Sequence, residues 1–289
     1  MQSYRSLMMF AFAVMVLGAG IGGCKDSTTP VAPSGTLTGG QVLANFAASD
    51  KVYTRDEAVA YYNRPNLCSV FWLTSEYRND FVTGAGGTIT GQFDGTDNDA
   101  SATFRTSSNQ GLSVGDIRLN NAILQEDIPL YGKGAYYYRK TANDSLDLVF
   151  GGGYNKIQVS ANADGVPAFL DSVQFAPAIH IDGLSRGQNI SKSQDLTLRW
   201  NSSGTGCWAE VKITREDGDT TRGAIGGFEF ITDDDGEFTI PAATMQRLPN
   251  TITNISVRRA EPKYITLSDG RVVCVLGEPK HTVTVNIVP

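Results

Sequence analysis

The segments Asp195-Leu-Thr-Leu-Arg-Trp200 and Cys207-Trp-Ala-Glu-Val-Lys-Ile-Thr214 alternate apolar and polar residues. Successive side chains of a β-strand point to opposite faces, so this alternation predicts two strands that each bury one face. Further short alternating runs follow as far as the C-terminus, and no long helical pattern interrupts them. Phe228 to Ile231 and Phe238 to Ile240 are predicted to form a hairpin across the intervening Asp-Gly turn. The C-terminal part of the chain is therefore predicted to be mainly β.

The preceding part of the chain shows the same period of two. Its short strands are predicted between Gly, Asn and Asp turn formers at Thr88 to Phe93, Ala102 to Phe104, Asp116 to Leu119, Leu146 to Phe150 and Phe169 to Phe175. Thr54-Arg-Asp-Glu57 matches a capping box and predicts one or two turns of helix after it. We expect two β-sandwich-like domains, residues 41–176 and 177–289, with an open barrel as the alternative for the first.

The N-terminus has the plan of a secretory signal peptide. An uncharged apolar run from Leu7 to Leu17 follows Arg5 and is followed by small residues. The four residues Ile21-Gly-Gly-Cys24 resemble the lipobox of bacterial lipoproteins. The resemblance implies that residues 1–23 are removed, that Cys24 is acylated, and that this lipid attaches the protein to a membrane of the cell envelope. The expected location is the outer membrane, on its periplasmic or external side.

Two alternatives to lipidation stay open, namely a plain signal peptide and an uncleaved anchor. A membrane-spanning helix needs about 20 apolar residues, and the N-terminal run approaches that length only if its glycines are counted. After Cys24, the segment 25–40 is rich in Pro, Ser, Thr and Gly, a composition typical of a flexible linker. Residues 24–40 are thus predicted to be a lipidated N-terminus and tether.

The C-terminal region, 177–289, resembles immunoglobulin-like and fibronectin type III-like β-sandwiches in its size, its strand count and a buried tryptophan predicted at Trp200. Trp200 precedes Cys207, so the Cys-Trp-Cys order of antibody domains is absent. The resemblance implies a sandwich fold, and it implies no particular ligand.

Charge and cysteine content limit the function further. The formal net charge is −6 and no basic tract is present, so nucleic acid is not an expected partner. If Cys24 carries lipid, three cysteines remain and at most one bridge can form. Cys207 and Cys274 are the candidate disulfide, with two buried thiols as the alternative, and Cys68 is expected in a core.

Candidate chemistry is sparse. Ser113 lies in a Gly-x-Ser-x-Gly pattern, but a strand-like segment follows it where a helix is needed, and His180 and His281 are the only histidines available as a base. Asp94, Asp97 and Asp99 are weak candidates for a structural calcium ion, with a solvated turn as the alternative. No zinc cluster and no cofactor is expected.

Aromatic residues provide the one hint of a binding surface. Tyr136, Tyr137 and Tyr138 are flanked by basic residues, and Trp208 falls on the polar face of its strand. Exposed aromatic rings stack on sugars or anchor protein partners. We therefore expect a non-catalytic binding or structural module for a protein or glycan partner. The alternative is an envelope glycan or ester hydrolase with an accessory sandwich.

Overall fold

The computed structural model describes residues 52–53, 64, 66–83, 89–139, 145–161, 165–203, 207–215 and 227–289. Within this part the chain is mainly β, with sixteen strands and two four-residue helices. The strands are β1 (Val52–Tyr53), β2 (Leu67–Thr83), β3 (Ile89–Phe104), β4 (Ile117–Leu119), β5 (Ala122–Glu126), β6 (Ala135–Tyr138), β7 (Asn155–Val159), β8 (Phe169–Val173), β9 (Ile181–Asp182), β10 (Asn189–Ser191), β11 (Leu196–Trp200), β12 (Trp208–Arg215), β13 (Gly227–Asp233), β14 (Glu237–Ile240), β15 (Ile252–Thr266) and β16 (Val272–Val288). The helices are α1 (Ile128–Tyr131) and α2 (Ala242–Met245).

The strands form one large sheet and one small sheet. The large sheet has the order β1-β13-β12-β15-β16-β2-β3-β6-β5-β4-β7-β8, and β10 pairs in parallel with the end of β16. The small sheet has the order β14-β11-β9. The prediction of a mainly β, sandwich-like fold is therefore confirmed.

The small sheet packs on β13, β12, β15 and β16 to make a sandwich. Its core takes alternate residues from both sheets, including Leu198, Trp200, Val211, Ile213, Phe230, Phe238, Ile255, Val257, Val283 and Val285. Its members from β11 and β12, such as Trp200 and Val211, are the ones that the alternation predicted to face inward. Three strands packed on four give an immunoglobulin-like arrangement.

The hairpin β15–β16 is longer than the sandwich. Its strands have 15 and 17 residues, or about 50–60 Å at 3.4 Å per residue, so it projects well past the small sheet. β2 runs parallel to β16 from the pair Val272 and Leu67 to the pair Val283 and Asn79. A single sheet thus passes through both halves of the chain.

A first core surrounds the projecting end of that hairpin. Its buried residues include Phe71, Leu73, Phe104, Ile117, Leu119, Ile157, Ile265, Val273 and Val275. The sheet curls around this core, since Phe175, just after β8, lies against Gly277 of β16. C-terminal strands therefore contribute to the core of the N-terminal half. The division at Ala176-Pro177 stays a prediction.

Three local expectations were wrong. The strands expected at Thr88 to Phe93 and Ala102 to Phe104 belong to one strand, β3, because β2 supplies pairing partners along nearly its whole length. Leu146 to Phe150 is not a strand. After the turn at Asp234, β14 leaves its predicted hairpin partner β13 and pairs with β11, so this turn connects the two sheets of the sandwich.

The signal peptide, Cys24, the linker and the capping box at Thr54 lie outside the described residues. Among the helices of the described part, none has the length and apolar character needed to cross a membrane.

Gly277 is predicted to tolerate no side chain. A Cβ atom there would lie 2.5 Å from Cδ1 and 2.7 Å from Cγ of Phe175, whose ring is buried and stacked on Phe150 at 5.6 Å. We expect Gly277→Ala to lower the free energy of unfolding by about 1–3 kcal/mol through overpacking. Urea denaturation measures the change.

Gly95→Ala is the matched control, because its added Cβ would meet only ordinary contacts, 3.5 Å from the Phe93 ring. We expect it to change the same free energy by less than about 1 kcal/mol. Equal stability of Gly277→Ala and the wild-type protein would contradict the packing described here.

Candidate functional site

The predicted aromatic surface does not exist. Tyr136, Tyr138 and Trp208 are buried, with 3%, 9% and 4% of their surface exposed, and half-buried Tyr137 packs at a tilt against Tyr131 with a centroid distance of 4.4 Å. Tyr136 reaches into the first core, where its hydroxyl donates to the carbonyl oxygen of Val114.

Trp208 is buried for a different reason. It lies, as predicted, on the face of the large sheet opposite the sandwich core, but a third apolar cluster forms on that face. Its other members are Val70, Trp72, Ile231, Ala260, Cys274 and Leu276. The strands that supply this cluster are distant in sequence, so local alternation could not show that both faces of β12 are covered.

The structure also separates the three calcium candidates. Asp94, Asp97 and Asp99 all lie within strand β3 rather than in a turn. Side chains alternate along a strand, so Asp94 points to the opposite face from the other two. Asp94 accepts a hydrogen bond from the hydroxyl of Tyr77, and Asp99 from the backbone of Ala100. The described residues contain no cluster of three or more side chains suited to hold a metal ion.

Cys207 and Cys274 are free thiols and not a disulfide. Cys274 shares a sheet face with Trp208, so Cys207, the neighbour of Trp208, points to the other face. The strand β15 also separates their strands, which keeps the Cα atoms at least about 9–10 Å apart, beyond disulfide reach. Burial raises the pKa of the Cys274 thiol to about 12, so it stays protonated at neutral pH.

Ser113 is not placed as a nucleophile. Its hydroxyl donates to Oε1 of Glu126 at 2.6 Å, and the same oxygen accepts the backbone N–H of Gly134. A carboxylate that receives two hydrogen bonds fixes this loop against β5 and β6. His180 and His281 belong to the sandwich half, where they contact each other, so the described residues form no Ser–His pair with Ser113.

The structure instead brings both histidines of the chain together with a tyrosine. The imidazoles of His180 and His281 stack with a centroid distance of 4.5 Å and an interplanar angle of 13°. The ring of Tyr77 lies 5.1 Å from His281 and 6.3 Å from His180, tilted against both. We call these three residues the His–Tyr cluster. His281 is buried, Tyr77 is half-buried and His180 is exposed.

Three elements position the cluster. His281 of β16 and Tyr77 of β2 are direct partners in the parallel register, so their rings sit side by side on one sheet face. His180 comes from the other sheet, directly before β9. The backbone N–H of Ile181 donates to Nδ1 of His281 at 2.7 Å, which ties β9 to β16.

Hydrogen bonds also hold Tyr77 and the backbone of His180. The Tyr77 hydroxyl donates to Oδ1 of Asp94 at 2.6 Å. The backbone N–H of His180 donates to Oδ1 of Asn201, and the amide nitrogen of Asn201 donates to the carbonyl oxygen of Ala178. The Tyr77 ring and the backbone at His180 are therefore held in place.

This placement shifts the pKa values of His281 and Tyr77. Burial, and then the neighbouring His180, lower the pKa of His281 to about 4, so His281 is neutral at pH 7. The hydrogen bond to Asp94 raises the pKa of Tyr77. Because Nδ1 of His281 accepts a hydrogen bond, its proton sits on Nε2, which is buried and has no hydrogen-bond partner in the described part of the structure.

No sequence pattern points to this cluster. The scarcity of histidine was visible, since the chain has only two, but residues 101 positions apart show no spacing pattern. The parallel pairing of β2 with β16, which adds Tyr77, joins distant parts of the chain and has no local signal.

Other charged groups serve the fold. Arg258 bridges Glu210 and Glu278 on the far face of the large sheet, at 2.5 and 3.1 Å. Burial alone would raise the pKa of Glu210, but Arg258 lowers it overall. On Glu278 burial prevails and the pKa is raised. Two acids that share one guanidinium and differ in this way form an internal network rather than a free recognition surface.

No protein-family model matches this chain, and no curated protein matches it. One solved structure with a detectable likeness holds fibronectin(III)-like modules of Clostridium thermocellum CbhA, at 12% identity, covering 73% of this chain and 89% of that one, with a TM-score of 0.21. A second is trypsin-activated alpha-2-macroglobulin from Escherichia coli, at 11% identity, covering 78% of this chain and 16% of that one, with a TM-score of 0.20. A third is DIP-gamma IG1+IG2, at 10% identity, covering 77% and 97%, with a TM-score of 0.19. Likenesses with scores this low carry no information about function.

Proposed function

We propose that the protein is a lipid-anchored protein of the cell envelope that acts as a non-catalytic binding or structural module. The N-terminal segment, with its apolar run and the lipobox-like Ile21-Gly-Gly-Cys24, supports the anchor. The linker 25–40 would separate the folded part from the membrane surface.

The observation that supports this role best is the continuity of the large sheet. The hairpin β15–β16 contributes to both cores, and β2 runs along it from one core to the other. A module built in this way resists bending between its halves, because bending would break ladder hydrogen bonds. Such a rigid folded part suits a module that presents a surface of constant shape to a partner.

Catalysis has less support. In the described part, Ser113 is hydrogen-bonded to Glu126 and the two histidines pack on each other. Neither arrangement gives a nucleophile with a base beside it.

The anchor is tested by Cys24→Ser. We expect the wild-type protein to fractionate with membranes and its N-terminal peptide to begin at an acylated Cys24. Cys24→Ser should leave the membrane fraction or keep residues 1–23, since no thiol is left to receive the lipid. Cell fractionation and mass spectrometry of the N-terminal peptide measure both.

Cys207→Ser is the matched control, because that thiol is half-buried and stands 183 positions after Cys24 in the sequence. It should fractionate as the wild-type protein does. An unmodified Cys24 in wild-type protein that still carries residues 1–23 would refute the anchor.

A further inference from the structure

We infer that the His–Tyr cluster is the floor of a binding site for a neutral pyranose ring of a glycan. This inference rests on the proposed binding role and names the ligand class for it. The site consists of the cluster together with Asp94, Asp182 and Arg186, and it lies where β9, the edge of the small sheet, meets β2 and β3.

The site is accessible. His180, Asp94 and Asp182 are exposed, and Tyr77 is half-buried. β9 is the last strand of the small sheet, and the loop after it covers part of the same face, since Arg186 and Gly187 lie against the ring of Phe81. Tyr77 and His180 lie at the edge of the small sheet next to this loop, the first half-buried and the second exposed.

The rings are preorganised for stacking. His180 is held flat on His281 at 4.5 Å, and Tyr77 is pinned through its hydroxyl to Asp94. The C–H face of a pyranose packs on aromatic rings, and fixing those rings beforehand removes the entropy cost of ordering them during binding.

The polar groups around the rings match hydroxyl groups. The carboxylates of Asp94 and Asp182 accept hydrogen bonds from sugar hydroxyls. Arg186 lies close enough to Tyr77 to influence its titration, and it donates to the backbone oxygen of Phe93, which fixes its guanidinium beside the site. Guanidinium N–H groups donate to hydroxyl or ring oxygens.

The charge balance selects a neutral ligand. Two carboxylates and one guanidinium give the site a net negative charge, which disfavours phosphorylated or sulfated sugars. A protein partner fits less well, because protein interfaces are centred on large apolar side chains. The exposed large apolar residues of the described part are Phe93, Ile123, Ile128, Leu130, Tyr154 and Leu170, and none belongs to this site.

The test is retention of the purified mature protein, in detergent micelles, on insoluble glycans. Peptidoglycan sacculi represent the cell's own glycan, whereas amylose and cellulose represent glycans from outside. We expect retention on at least one of the three, and the pattern distinguishes the two sources. Tyr77→Ala and His180→Ala should each weaken retention about tenfold or more through loss of a stacking ring.

Two further variants sharpen the test. Tyr77→Phe keeps the ring and loses the bond to Asp94, so it should weaken retention only a few-fold. Tyr154→Ala removes a tyrosine that is 62% exposed elsewhere on the surface and should leave retention unchanged. Circular dichroism and thermal unfolding verify that every variant is folded.

Three outcomes would overturn the inference. These are lack of retention on all three glycans, equal retention of wild type and folded Tyr77→Ala and His180→Ala, and equal loss with Tyr154→Ala. Retention of a protein partner that depends on Tyr77 while no glycan is retained would also overturn it. Because anchoring is measured separately with Cys24→Ser, failure here leaves the anchor standing.

Discussion

Replacing Arg259 by methionine is expected to lower the free energy of unfolding by about 3–5 kcal/mol. The side chain of Arg259 is 1% exposed and that of its partner Asp234 is 0% exposed. The guanidinium Nε donates to Asp234 at 2.5 Å, and its Nη atoms donate to the carbonyl oxygens of Pro177 and Asn201.

The loss in the free energy of unfolding is large because the Asp234 carboxylate stays buried. Asp234 also accepts hydrogen bonds from Nε1 of Trp200 at 2.8 Å and from the hydroxyl of Ser203 at 2.5 Å. These bonds keep its carboxylate inside the sandwich, so Arg259→Met leaves a buried charge without its counter-ion. The variant also frees the chain at Pro177, at the predicted boundary.

Urea denaturation of the purified protein measures this effect. Arg199→Met is the matched control, since Arg199 pairs with Glu237 at 2.7 Å while the two side chains are 65% and 52% exposed. An exposed pair contributes little, and we expect a change within about 1 kcal/mol. If both variants cost the same, the pair in the core does not stabilise the sandwich as argued.

Acidification is expected to destabilise the protein between pH 6.5 and about 4 through His281. Burial holds the pKa of His281 at about 4 in the folded protein, against 6.5 as the ordinary value. Between these values the unfolded chain binds the proton and the folded protein does not. The contribution of neutral His281 to the free energy of unfolding is therefore fully present above pH 6.5 and is lost as the pH drops towards 4.

The loss has a structural cause. A proton on Nδ1 would turn the acceptor of the Ile181 N–H into a donor and would place a cation against His180. Asp182 is the nearby charge that favours protonation, but its effect is smaller than that of burial. The free energy of unfolding should therefore fall by at most about 1.4 kcal/mol per pH unit through this group, which is roughly 3 kcal/mol over the whole range.

His281→Asn tests this directly. The amide oxygen of asparagine can accept the Ile181 N–H in place of Nδ1, and asparagine does not titrate. The variant should be less stable at pH 7, because it loses the ring stack, but its stability should change less between pH 6.5 and 4. Urea denaturation at several pH values gives the slopes.

His180→Asn is the comparison, because it removes the exposed histidine. It should keep most of the wild-type slope, since burial, the larger cause of the shift, remains. A wild-type protein whose stability is flat from pH 6.5 to 4 would contradict the burial of a neutral His281.

The candidate site required the tertiary structure, whereas the inner face of the sandwich did not. The alternation in β11 and β12 correctly predicted Leu198, Trp200, Val211 and Ile213 in one core, because inward and outward residues repeat every two positions. The pattern could not show that β16 continues past the sandwich and pairs with β2, and that pairing places Tyr77 beside His281.

The sequence by itself determined the β class and the inner face of the sandwich, and it contains the lipobox-like N-terminus on which the proposed envelope anchor rests. Only the tertiary structure decided which polar residues are internal. The sequence placed Asp234 in a turn, whereas in the structure it is the buried partner of Arg259. The sequence placed Trp208 on a polar strand face, whereas in the structure it is buried. The physical reason is that alternation reports the two faces of one strand, whereas burial depends on what other, distant strands place against each face.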